Sequence, residues 1–219
     1  MFFYVKLTFL LLFCLVGLTW AVPQGAPQVV SLSEISAVKA KHGFLAARRL
    51  EAWQKLVDKV YKKPERLKLI LVNNFFNESR FVSDQKNWHQ KDYWATPKEL
   101  LIKDAGDCED YVIAKFITLK AVGVSHEKLN LTYVKAKKLN QAHMVLSYFN
   151  KPNSIPLILD NLIHRILKAT KRKDLVPIYS FNGDGLWLAK QRGKGKAING
   201  GAQEIQQWQS LQRKLARGN

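Results

Sequence analysis

Apolar residues recur at helical spacing from Ser31 to Lys63, at Leu45, Leu50, Trp53, Leu56, Val57 and Val60. The pattern predicts one or two helices ending before Pro64. Arg66 to Asn77 is a second helical stretch. From Phe81 to Tyr93 no period holds, and an irregular segment with isolated anchors at Trp88 and Tyr93 is expected. Thr96-Pro97-Lys98-Glu99 then combines a capping Thr, a Pro at the first helical position and a Glu three residues after the cap. Together they mark a sharp helix start, and this short helix should end near Gly106.

From Asp107 the run DCEDYVIAKFITLKAVG carries apolar residues at Cys108, Val112, Phe116, Ile117 and Leu119 to Ala121, and stops at Gly123. It reads as a buried helix of about four turns with Cys108 in its first turn. Five strand-like segments follow: Leu129 to Ala136, Ala142 to Phe149, Ile155 to Leu159, Ile178 to Phe181 and Leu186 to Ala189. Asn150 to Ser154 and Asn182-Gly183-Asp184-Gly185 supply turns between them. Helices first and antiparallel strands afterwards predict an α+β fold, a meander packed on the Cys108 helix. From Gln191 the chain turns basic and glycine-containing, with a polar helix candidate from Gln203 to Ala216, and residues 191–219 are expected to form a loosely attached tail.

The first residues are of another kind. A single Lys6, an apolar run from Leu7 to Leu18 and Thr19-Trp20-Ala21 have the layout of a secretory signal, with cleavage expected after Ala21 and Ala26 as second choice. The mature form is then expected in the periplasm without a membrane span, since the run is shorter than the roughly 20 residues that cross a bilayer. Removing it takes one Lys and no acid from the formal +18 and leaves +17. It also leaves Cys108 as the only thiol, so no disulfide and no cysteine zinc site can form. With 47% hydrophobic and 24% charged residues in 219, disorder of the whole chain is excluded and one domain, residues 22–190, is expected. The charge does not indicate nucleic acid, because export separates the two and no basic stripe interleaved with aromatics is present.

A lone thiol in an exported protein is either inert or reactive. In the first turn of a helix a thiolate is stabilised by free backbone N–H groups and the helix dipole, and the residue's own N–H is an oxyanion donor. A nucleophilic cysteine needs a base and a group to orient it. His42, His89, His126 and His164 lie in polar helical or irregular surroundings, whereas His143 opens a strand and shares a face with Val145 and Ser147. Asp160 ends the following strand, and a hairpin about Asn150 to Ser154 brings residues 143 and 159–160 opposite one another. Cys108, His143 and Asp160 are therefore the candidate catalytic triad.

Asp92-Tyr93-Trp94-Ala95-Thr96-Pro97, Gly106-Asp107-Cys108-Glu109-Asp110-Tyr111 with Ile113-Ala114-Lys115, Ala142-His143-Met144-Val145-Leu146 and Leu159-Asp160-Asn161 resemble the bacterial transglutaminase-like cysteine proteases of the LapG type. The resemblance spans roughly Leu67 to Lys190, with GDCEDY its most specific block and the basic tail its visible departure. It implies a papain/transglutaminase-like fold and a periplasmic, calcium-dependent cysteine endopeptidase. Proteases of this type cut the N-terminal region of a large surface adhesin at a di-alanine site, which releases the adhesin and disperses the biofilm. A cyclic di-GMP-sensing inner-membrane receptor sequesters them. Carried over, the resemblance makes Cys108 the nucleophile, His143 the general base and acid, and Asp160 the orienting acid.

It also gives a reason for the acids around Cys108. Asp107, Glu109 and Asp110 should raise the thiol pKa. Bound Ca2+ would neutralise them, with Asp107, Glu109, Asp110 and Asp92 as ligands and Asp104 as a further candidate. Acids in a first helical turn also simply complement the dipole. Two other readings stay open: a transglutaminase or amidase using the same triad, and a non-catalytic basic module binding anionic envelope polymers. Lys171-Arg172-Lys173 reads as a solvated loop. Trp94, and with it Trp88, is either an exposed anchor for the receptor or packing across the loop.

Overall fold

The computed structural model describes residues 25–183, 185–188 and 196–218. The signal segment Met1 to Ala21 lies outside them. The N-terminal helical pattern becomes α1 (Leu32–His42), α2 (Phe44–Val60) and α3 (Glu65–Phe76). Gly43, at φ 87°, breaks the first stretch into two helices, a conformation that costs a residue without a Cβ nothing. α2 buries Leu50, Trp53, Val57 and Val60 as the spacing predicts, while Leu45 faces solvent.

The aperiodic segment contains β1 (Arg80–Phe81) and the single turn α4 (Asp84–Asn87). α5 (Pro97–Lys103) starts with the expected capping box, in which Thr96 Oγ1 accepts from the Glu99 N–H and Glu99 Oε2 from the Thr96 N–H. β2 (Ala105–Gly106) pairs in parallel with β1 and leads directly into α6 (Cys108–Ala121). The two-residue pair sets the aperiodic segment against the start of the helix that carries the cysteine.

β3 (Leu129–Ala136), β4 (Gln141–Tyr148), β5 (Leu157–Leu159), β6 (Leu167–Lys168), β7 (Leu175–Phe181) and β8 (Leu186–Leu188) form one sheet in the order β6-β5-β4-β3-β7-β8. A meander holds from β3 to β6; β7 then returns to the free edge of β3, so the last hairpin lies on the far side of where a simple meander would put it. β7 starts three residues before the predicted Ile178, and the ladder shifts register at Tyr133/Val134 where Pro177 takes its place opposite Val134. Leu129, Leu131, Met144, Leu146 and Leu159 join α6 in the main core. Val134, Val145 and Ile158 form a smaller cluster on the other sheet face, with Ala169 and Leu175 over it.

The expectation of a loosely attached tail does not hold for its helix. α7 (Gln206–Ala216) buries Trp208 and Leu211, and the Trp208 ring meets Phe181 at 5.4 Å and Phe116 at 5.9 Å, edge to face. Lys214 Nζ donates to Trp94 O and to Glu99 Oε2 (3.0 Å). The Gln-rich composition conceals a narrow apolar seam that suffices to dock the helix. Residues 191–195 lie outside the described residues. Among the described residues, no helix is long and apolar enough to cross a membrane.

Candidate active site and acidic cluster

Cys108 is the first residue of α6, after the N-cap Asp107. Asp107 and Asp110 make a reciprocal capping box, and Asp110 Oδ1 also accepts from the Ala95 N–H at 2.7 Å. Gly106 is dictated by that packing: a Cβ there would lie 2.5 Å from Asp110 Oδ2 and 2.7 Å from Leu100 Cδ1. The sequence block around the cysteine is thus one packed corner in which glycine admits a buried carboxylate behind the helix start.

The backbone N–H of Met144, the residue after His143 on β4, acts on the Cys108 sulfur and favours its thiolate, the smallest of the influences on it. His143 Nε2 hydrogen-bonds Asp160 Oδ1 at 2.8 Å, with both side chains buried. The predicted pair is therefore made, by a different register from the expected one: Leu159 pairs with Leu146, three residues past His143, and the imidazole reaches Asp160 beyond the end of the ladder. Asp160 Oδ1 also accepts from the Leu162 N–H, and Asp160 Oδ2 from Arg172 at 2.6 Å. Burial pushes the Asp160 carboxyl up, but His143, the Leu162 N–H and Arg172 outweigh it and hold it at about 2. Arg172 corrects the solvated-loop reading of Lys171-Arg172-Lys173. It is buried, and besides Asp160 it binds Asp174 at 2.8 Å. A lone Arg within a basic run gives no sequence signal for this role, apart from Asp174 two residues on.

The thiol itself is at rest. Cys108 Sγ donates to Glu109 Oε2 at 3.0 Å, and among the described residues no hydrogen bond joins it to His143. Burial, then the Glu109 charge and hydrogen bond and the Asp107 charge, push the thiol far above its ordinary range. Like charge is concentrated here. Oxygen atoms of Asp84, Asp92 and Glu109 lie within 4.8 Å of one another, as do those of Asp84, Asp107 and Asp110. Burial and mutual repulsion raise Asp107, Glu109 and Asp110, and raise Asp84 to about 6. Asp84 Oδ1 and Asp107 Oδ1 are buried without a hydrogen-bond partner.

Of the acids predicted from sequence, Asp92, Asp107, Glu109 and Asp110 all fall in these groups. Asp104 does not: it caps α5 at φ 53° and pairs with Arg49 at 3.8 Å. Asp84 was missed, although it belongs to both groups; it lies in the aperiodic segment, where the only hint is an Asp following Ser83 at the start of a turn. A convergence of carboxylates with orphaned buried oxygens fits a hard dication with several oxygen ligands.

Trp94 is 3% exposed, stacks on Phe181 at 5.9 Å and donates from Nε1 to Asp92 Oδ1. This corrects its candidacy as an exposed receptor anchor; its indole is core packing that steadies Asp92. Trp88 is half-buried and stacks on Tyr93 at 4.4 Å.

The profile of a family described as bacterial transglutaminase-like cysteine proteinase (BTLCP) matches residues 50–188. The chain belongs to this family. Among curated proteins, none matches. Solved structures of Legionella pneumophila LapG are similar: one has 41% identity and a TM-score of 0.73, covering 87% of this chain and 99% of that one. A calcium-bound LapG structure has 41% identity and a TM-score of 0.72, covering 85% and 99%. An EGTA-treated one has 40% identity and a TM-score of 0.73, covering 87% and 100%. The transglutaminase-like fold and the cysteine-protease class expected from the sequence are thereby established for this member of the BTLCP family.

Proposed function

We propose that the protein is a calcium-dependent periplasmic cysteine endopeptidase that cuts the N-terminal region of a large surface adhesin at a di-alanine site, under the control of a cyclic di-GMP-sensing inner-membrane receptor. The carrying observation is the buried His143–Asp160 hydrogen bond beside a cysteine at the N-terminus of α6. Family membership and the similarity to LapG support the rest.

In this reading Cys108 and His143 form the reacting pair and Asp160 holds the imidazole by Nε2, which leaves Nδ1 for the thiol. The Cys108 thiol gives its proton to His143 Nδ1 as its sulfur attacks the scissile carbonyl carbon and a C–S bond forms. The oxyanion is met by the Cys108 N–H, which as the first of α6 has no intrahelical acceptor. The imidazolium gives its proton to the leaving amine as the C–N bond breaks. His143 then takes a proton from water as that water attacks the thioester, and the sulfur leaves.

Asp84, Asp92, Asp107, Glu109 and Asp110 are the residues that would hold calcium. When bound, the ion would supply charge neutralisation beside the thiol and fix the start of α6. In the absence of a cation these residues hold the cysteine protonated, with Glu109 accepting its proton. Fragments of an adhesin N-terminus, incubated with the purified protein, test the proposal. Cleavage that a chelator stops and Cys108→Ala abolishes is expected; cleavage that survives both overturns it, and an amine donor incorporated in place of hydrolysis would mark a transglutaminase.

A further inference from the structure

Lys115 is wholly buried, and its ammonium has no hydrogen-bond partner among the described residues. An uncompensated buried cation costs several kcal/mol, so a chain that places one in its core tolerates a penalty that methionine or leucine would avoid. Its position is specific. Lys115 follows Cys108 by seven residues, two turns along the same face of α6. The charge that acts on it is Asp160: burial lowers the lysine pKa to about 7, and the Asp160 carboxylate pulls it back up.

Charge counting gives this a purpose. Arg172 is shared between Asp160 and Asp174, so these three groups sum to one uncompensated negative charge next to His143. Arg172 also lines a groove of about 570 Å³ with Val134, Val145 and Ile158, on the sheet face away from the main core. Lys115 comes from α6, on the main-core side. Asp160 is thus approached by a cation from each side of the sheet.

The surrounding polar atoms agree. Asn77 Nδ2 donates to the backbone oxygen of Asp160, yet Asn77 Oδ1, Asn73 Oδ1 one turn earlier on α3 and Asn161 Oδ1 are all buried without partners. Orphan acceptors next to Asp160 and an orphan ammonium coupled to it are complementary, and buried water joins such groups in protein interiors.

We infer that Lys115 is a positioning residue for the reaction: the second cation on Asp160, balancing its charge and holding its loop so that His143 presents the right nitrogen to Cys108. This rests on the triad reading above. The charge that acts on the ammonium is that of Asp160, to which His143 and Arg172 are bonded, and on its own helix the Tyr111 ring centroid lies 5.9 Å from Nζ.

The test compares Lys115→Met and Lys115→Arg in the full chain. Lys115→Met relieves the burial of the ammonium but takes a balancing charge from Asp160, and the variant should fold with a melting temperature near the wild-type value. It should lose about tenfold or more in kcat with KM changed less than twofold, as misplacement of a catalytic group does. In a Cys108→Ala background its His143 titration, followed by NMR of the labelled imidazole, should move up by about one unit, because a positive charge has been taken away. Lys115→Arg should recover part of the rate and return the titration toward the wild-type value. A folded Lys115→Met variant with wild-type kcat and an unmoved His143 titration overturns the inference. If Lys115→Met does not fold, an Arg variant that folds yet shows neither recovery nor the wild-type titration does the same. Activity that survives His143→Ala would instead overturn the triad reading, so the two failures are distinguishable.

Discussion

Around Asp160 one buried carboxylate meets His143, the Leu162 N–H and Arg172, which favour its ionised form and hold its pKa down to about 2. Around Asp84, across the Cys108 corner, five carboxylates crowd together, burial and like charge raise the pKa values of Asp84, Asp107, Glu109 and Asp110, and two buried oxygens find no donor. The first region is complete within the polypeptide. The second stores repulsion that the chain does not relieve by itself. Cys108 lies between them and follows the second, its S–H donated to Glu109. The Asp160 side is thus preformed, and the acidic side is the one that holds the Cys108 thiol.

Breaking the complete region should cost most. Arg172→Met leaves Asp160 and Asp174 without their shared cation and should destabilise the fold by about 3 kcal/mol, read from denaturant unfolding. A loss below about 1 kcal/mol would mean that the pair is not the buried compensation the geometry indicates.

The same carboxylate sets an acid limit. Asp160 has a folded pKa below its unfolded value, so its contribution is present above the ordinary value of 3.8 and is lost as pH falls through about 2. Roughly 2 kcal/mol of stability should disappear across that window. Asp160→Asn should flatten the curve there; an unchanged slope contradicts the assignment.

A smaller change is expected from relieving the other region. Asp84→Asn removes the acid common to both carboxylate groups. Calcium affinity by titration calorimetry should fall about tenfold, while the melting temperature without calcium should rise because repulsion is reduced. Equal affinity in the variant would remove Asp84 from the ligand set.

Local chemistry made parts of this legible in sequence. The Thr96–Glu99 box, the helix start at Cys108 and the strands β3 and β4 are set by neighbours within a few residues, and they stand within a residue of where the pattern puts them. Features that depend on distant partners were hidden. Arg172 looks like one more solvated base until Asp160 is placed beside it, and Asp84 belongs to an aperiodic segment whose fold is fixed by the β1–β2 pair. Trp94, for which the sequence leaves packing and exposure both open, and α7, expected to be loosely attached, share one cause, because polar flanking sequence conceals aromatic faces that find each other only in the folded chain. The His143–Asp160 pairing survives a different register because Asp160 lies just past the end of the β4–β5 ladder, within reach of the imidazole.

In a chain beginning at Val22, Cys108 is the only cysteine, so its alkylation is an unambiguous readout. The rate of iodoacetamide modification at neutral pH, measured with calcium and with a chelator, tests most directly whether the acidic region governs the thiol. Slow alkylation is expected in the chelator and a rate at least about tenfold higher with calcium, as the opposing charges are neutralised and the thiolate is favoured. Equal rates under both conditions, or a slower one with calcium, would contradict it.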